Sequence, residues 1–242
     1  MKLFFIGIFL LSCGSVYPQA TNGVTVIEDL SHKVDAGIGL VFNRTLGTKL
    51  AVPFAYTLEW KKSAVFEAGY EMDLTHGMTG AYFFSLGWNN ILDTGAGVYL
   101  KFLGDPNGEY GLGANSVIPY AELRLSGFIL RLGVNFRFTV SGDNIWNIFY
   151  YNTPEKETQL YYLFGYGFGL LDGRLRMEVL FGNHERFFAG NFGNYGLYVR
   201  GLLDMDDPLG IYLDLGWINA GSIALSSVWY KIKIDMGVTL KW

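Results

Sequence analysis

Apolar and polar residues alternate along most of this 242-residue chain, most plainly at its C-terminal end. Tyr230, Ile232, Ile234, Met236, Val238, Leu240 and Trp242 are apolar, while Lys231, Lys233, Asp235, Thr239 and Lys241 occupy the other phase. A period of two places the two sets on opposite faces of a β-strand. The pattern recurs at residues 50–60, 64–74, 80–88, 94–102, 128–140, 160–170, 175–181 and 211–217, and more weakly at 34–42, 117–125 and 195–203. It predicts about twelve strands. Beyond residue 20 no run of ~18 consecutive apolar residues is present, so the chain offers no spanning helix.

Alternation fits a soluble β-sandwich as well as an up-and-down barrel, and the connections separate the two. Longer segments (43–48, 104–116, 141–158, 183–194, 219–227) take turns with tight ones at Lys61-Lys62, Ser126-Gly127 and Asp172-Gly173. Barrels in membranes have short turns at one rim and long loops at the other. The exception is 74–78, which belongs to the long side and is short. Trp60, Trp88 and Trp242 fall on the apolar phase at short-turn ends. Trp217 and Tyr195 fall on the same phase at long-loop ends, with Tyr230 close by. Aromatic girdles at both rims explain that placement, whereas a sandwich would hold those rings mid-strand.

Composition adds to this. Half of the residues are apolar and 17% are charged, against roughly a quarter in soluble domains, and 17% are aromatic. Gly (32 residues) far outnumbers Pro (6), a balance suited to strands and turns. The net charge of -4 leaves no basic patch for a phosphate backbone, so no nucleic-acid partner is expected. The single cysteine excludes an intrachain disulfide and a zinc–thiolate cluster. Residues 1–20 read as an export signal: Lys2, then an apolar core over 3–11, then Pro18-Gln19-Ala20 as a cleavage site. Cys13, after Leu10-Leu11-Ser12, also fits a relaxed lipobox. The expected organisation is a signal peptide at 1–20 and one barrel domain at 21–242.

The chain resembles the bacterial outer-membrane β-barrels, including porin-like members, through its alternating strands and a closing segment, 230–242, that ends in an aromatic residue. The resemblance implies an outer-membrane location, contact with lipid and lipopolysaccharide, periplasmic short turns and termini, and recognition of 230–242 by the barrel-insertion machinery. It carries no substrate.

If the aromatic phase faces lipid, the other lines a lumen. Early strands contribute Glu59, Glu67, Glu71 and Asp73. Later ones contribute Lys101, Arg124, Arg131, Arg137, Arg174, Arg176, Arg200, Lys231 and Lys233, with Glu122, Glu178, Asp214 and Asp235 among them. An acidic sector facing a mainly basic one sets up a transverse field across a wet pore. The competing reading is that these charges pair and fill the barrel. A two-residue turn at Ser126-Gly127 sets Glu122 opposite Arg131, and a turn at Asp172-Gly173 sets Arg176 opposite Gly169 and Glu178 opposite Gly167.

Other chemistry is sparse. His32 is expected at the periplasmic rim and His76 and His184 in outer loops, too far apart to share a metal. No His-x-Ser pattern of outer-membrane lipid hydrolases is present. Gly165, Gly167 and Gly169 lack the strand-to-helix turn of a phosphate-binding motif, and no cofactor is called for. The aromatic-rich 141–158 segment suits either a pore constriction or a surface contact. The expected function is a narrow passive channel for small hydrophilic solutes, with an anion bias resting on the later-strand cations. The alternatives are a plugged barrel with a structural or adhesive role and, third, an envelope lipid hydrolase.

Overall fold

A computed structural model describes residues 30–43, 47–61, 63–75, 80–89, 91, 95–105, 113–140, 156–183, 194–206, 208–220 and 229–242. The elements are β1 (Leu30–Asn43), β2 (Gly47–Trp60), β3 (Ala64–Asp73), β4 (Gly80–Trp88), β5 (Ala96–Asp105), β6 (Gly113–Leu125), β7 (Phe128–Val140), β8 (Lys156–Leu170), β9 (Leu175–Gly182), β10 (Asn194–Asp206), β11 (Leu209–Ala220) and β12 (Trp229–Lys241). Each strand pairs antiparallel with its chain neighbours, and β1 pairs with β12, so the sheet closes into an all-β up-and-down barrel of twelve strands. Closure leaves no sheet edge, the condition for β-structure to lie in hydrocarbon.

The strands are the expected ones, with several bounds moved. β1 begins at Leu30, β6 at Gly113 and β8 at Lys156, because pairing with a neighbour carries each ladder past the point where alternation weakens. The connection expected to be long at 43–48 is short, three residues lying between Asn43 and Gly47, which pair. Past β3, Leu74 still donates its backbone N–H to the Leu50 carbonyl, and the Thr75 hydroxyl accepts from the Leu50 N–H. That extension accounts for part of the short 74–78 connection.

The tight turns form as their residues dictate. Ser126 (φ 48°) and Gly127 (φ 88°) are both left-handed, the type I′ geometry that matches strand twist. At the β8–β9 turn, Leu171, Asp172 and Gly173 are all left-handed. Two overlapping hydrogen bonds close it: the Gly173 N–H donates to the Leu170 carbonyl and the Arg174 N–H to the Leu171 carbonyl.

Outward positions carry exposed apolar side chains over the whole circumference, among them Ile38, Phe84, Leu132, Phe164, Leu213 and Met236. An apolar belt of that extent is accommodated by lipid and not by water. Trp60, Trp88, Trp217 and Trp242 are exposed on this face. Ala64 is the register partner of both Trp60 and Trp88, which fixes those two rings at one rim. Trp242 joins that rim through backbone hydrogen bonds with His32, whose imidazole stacks on the indole at 5.6 Å. At the opposite rim Tyr195 packs edge-on against Trp217. Tyr230 lies on β12 opposite Asn219, and its side chain is outside the described ones.

Inside, rings lie over glycines. The Tyr212 hydroxyl reaches the bare backbones of Gly37 and Gly237, Tyr99 lies against Gly87 and Gly97, and Phe83 covers Gly69. A Cβ on Gly237 would come within 2.7 Å of that hydroxyl, so the glycine provides the space the ring needs. Ile118, Tyr120 and Tyr161 form a buried cluster on the inward face, joined by Tyr99 stacked on Tyr120 at 4.8 Å.

Candidate functional site: the charged lumen

The inward phase carries the charges. Glu122 is the register partner of Arg131, as the Ser126-Gly127 turn requires, and Arg131 Nε lies 2.5 Å from Glu122 Oε2. The second Glu122 oxygen accepts from Arg124 Nε at 2.8 Å, and Arg124 Nη1 reaches Glu178 of β9 at 3.1 Å. Gly167 pairs with Glu178 and Gly169 with Arg176, the register expected from Asp172-Gly173. With no side chains on these glycines, the Arg124–Glu178 bridge spans the two intervening strands.

Barrel closure builds a second network. Arg200 of β10 lies 3.3 Å from Asp214 of β11 and 3.3 Å from Asp35 of β1, and it also interacts electrostatically with Glu178 and Glu67. Lys233 of β12 pairs with Asp235 at 2.8 Å and with Glu71 of β3. Lys33 holds Asp35 at 2.6 Å, and Lys49 holds Asp73 at 3.4 Å. At the short-turn mouth Asp204 takes both Arg176 (2.8 Å) and Lys241 (2.6 Å).

The sectors therefore differ from the sequence expectation. Because β12 adjoins β1, Asp214 and Asp235 extend the acidic wall, which runs over β11, β12 and β1–β3. Arg200 and Lys233, expected in a basic sector, are bound to that wall's carboxylates. The basic wall is confined to β5–β9, where among the described side chains Lys101, Arg124, Arg131, Arg137 and Arg176 outnumber Glu122 and Glu178. Lys101 sits 4.9 Å over the Phe83 ring, and Arg137 is buried. Glu59 lies near the short-turn rim, opposite Ser31 and Val65. Arg174 falls in the β8–β9 turn, exposed and past the end of the wall. Lys231 is placed opposite Ile218, its side chain outside the described ones.

Sequence reading missed Lys33, Asp35, Lys49 and Asp204, and the tyrosines that share the lumen. Asp35 was discoverable: Lys33, Asp35, Gly37 and Gly39 occupy the polar phase of the weak first strand. Between β6 and β9 an open cavity of about 350 Å³ is lined by Arg124, Ile129, Gly167, Gly169, Arg176 and Glu178. His32 faces outward, its Nδ1 2.8 Å from the Tyr56 hydroxyl. His76 and His184 lie outside the described residues, as does 141–155 of the aromatic loop. Among the described residues no cluster of metal-ligating side chains occurs.

No protein-family model and no curated protein matches the sequence. Solved structures similar to this chain are bacterial outer-membrane proteins of different activities. A KdgM porin, solved with disordered oligogalacturonate, is 8% identical, with 85% of this chain and 98% of that one covered and a TM-score of 0.49. The translocator domain of the autotransporter NalP from Neisseria meningitidis is 10% identical, with 100% and 95% covered and a TM-score of 0.48. The outer-membrane phospholipase of Salmonella typhi, a dimer with bound calcium, is 10% identical, with 85% and 90% covered and a TM-score of 0.45. Likeness at this level does not choose an activity. The architecture stands on the described strands themselves: a closed antiparallel barrel with a lipid-facing belt, the architecture of outer-membrane β-barrels.

Proposed function

We propose that the protein is an outer-membrane barrel forming a narrow passive channel for small hydrophilic solutes. The observation that carries this reading is the disposition of charge: ionised side chains share the inward face, in two walls of opposite excess on opposite sides of the barrel. Charged groups within a bilayer are stable when hydrated or paired, and a wall that mixes both conditions suits an aqueous path. Twelve strands lie between small filled barrels and the wide porins of 16–18 strands, so the path is narrow. Arg200 and Lys233 are engaged by acids and Arg124 and Arg131 share Glu122, which narrows the cations behind the expected anion bias to the β5–β9 wall. The proposal therefore sets no sign on the solute. Export across the inner membrane and presentation of 230–242 to the insertion machinery belong to the same reading.

A second reading, a sealed barrel with a structural or surface-adhesion role, draws on the ion pairs that bridge three strand positions and on the Ile118–Tyr120–Tyr161 cluster. Swelling of vesicles containing the purified barrel, in polyols and sugars of increasing size, separates the two. A channel admits the smallest and excludes the larger ones. A sealed barrel excludes all of them.

A further inference from the structure

We infer that the solutes best suited to this lumen are zwitterions of the free amino acid or short peptide class, whose carboxylate docks in the cavity beneath Arg124 and Arg176. The inference rests on the channel reading and specifies its substrate.

Three observations converge on it. The first is the cavity of about 350 Å³ at the short-turn end of β6–β9, within the size range of small-ligand sites. Gly167 and Gly169 contribute bare backbone to its lining, beside the apolar Ile129, Phe168 and Met177. A Cβ on Gly169 would meet nothing nearer than Gly173 at 3.5 Å, and one on Gly167 nothing nearer than Glu178 at 3.5 Å.

The second is the state of its guanidinium groups. Arg124 and Arg176 keep about half of their side-chain surface open, at 46% and 52%. Each guanidinium carries five N–H donors in a planar fork. Arg124 directs Nε to Glu122 and Nη1 to Glu178, and Arg176 directs Nη2 to Asp204. The remaining donors of two cations border one open cavity, an arrangement suited to bidentate capture of a carboxylate. Glu178 also lines the cavity and repels an anion. Its Oε1 is bound to Arg124, which leaves the Arg176 side as the place for an incoming carboxylate.

The third is the opposite wall. In the strand order β7 and β1 are half a circuit apart, so the basic wall over β5–β9 faces the acidic one over β11, β12 and β1–β3. Among the described side chains, seven acids there (Asp35, Glu59, Glu67, Glu71, Asp73, Asp214 and Asp235) outnumber five cations: Lys33, Lys49, Lys233 and Lys241 on the same strands, and Arg200 reaching across from β10. An ammonium group turns toward that wall while the carboxylate turns toward the arginines. A neutral solute gains neither contact, and a singly charged one gains one and is opposed by the other wall.

The test is flux into vesicles carrying the full-length barrel, measured with a zwitterionic amino acid, a neutral polyol of the same size and a simple carboxylate of the same size. The zwitterion should enter fastest. Arg124→Gln/Arg176→Gln should slow the zwitterion roughly fivefold relative to the polyol, the change that two half-exposed charge contacts supply. If the double variant yields no folded barrel, Arg176→Gln alone carries the same direction, since its ion pair among the described residues is with Asp204 only. Equal entry of zwitterion and polyol, or equal slowing of both in the variant, overturns the inference and leaves the channel standing. No entry of any solute overturns the channel reading and this inference together.

Discussion

Glu122 holds Arg131 directly across the β6–β7 ladder, with Nε and Oε2 2.5 Å apart, and gives its other oxygen to Arg124. One buried carboxylate thus partners two cations. Glu122→Gln removes the charge that both guanidinium groups use and should cost about 2–3 kcal/mol. That is below the ~3–5 of a fully buried broken pair, because both arginines retain access to the lumen. Arg176→Gln, which breaks an exposed pair, should cost under about 1 kcal/mol. Urea unfolding of the barrel in lipid vesicles measures both.

The turns give a second contrast. Gly127 and Gly173 are both left-handed, at φ 88° and 86°. A methyl on Gly173 meets open space, whereas one on Gly127 runs into the Gly167 carbonyl oxygen. Gly173→Ala should therefore cost ~1–2 kcal/mol from backbone strain alone. Gly127→Ala should cost about 1 kcal/mol more, from the added overlap. Equal losses would mean that the β7–β8 wall does not press on the Ser126-Gly127 turn.

At the closing seam, Gly237 faces Gly37 across β1–β12 beneath the Tyr212 hydroxyl. A Cβ at Gly237 collides with the Ala36 carbonyl and sits 2.6 Å from the Gly37 Cα. Gly237→Val should prevent closure, seen as loss of the heat-modifiable band shift in electrophoresis. Gly47→Ala, at a position with open space around it, should keep the band shift at ~1–2 kcal/mol of backbone strain.

Trp60 and Trp88 share one rim, and Trp217 lies near the other. Variants retaining a single tryptophan at any of these positions should be quenched more by lipids brominated near the headgroup than by lipids brominated at the chain end. Equal insensitivity to both would place the rings away from lipid.

The sequence carried the strands, the outward face and the two hairpin registers, because each depends on neighbours within one hairpin. Alternation and the Ser126-Gly127 turn sufficed to place Glu122 opposite Arg131. The contacts that join Arg200 to Asp35 and Lys233 to Glu71 depend on where the barrel closes and how its strands stagger, and no local pattern encodes that. For the same reason the basic sector read along the chain was too wide: chain order separates β12 from β1, and the ladder makes them neighbours.

If the inward charges border water, the barrel conducts ions. Single-channel recording of the purified barrel in a planar bilayer measures this. Small, uniform conductance steps are expected, and a reversal potential under a salt gradient that moves toward cation preference in Arg131→Glu or Arg176→Glu. A bilayer that stays silent while the protein is folded and inserted would contradict it.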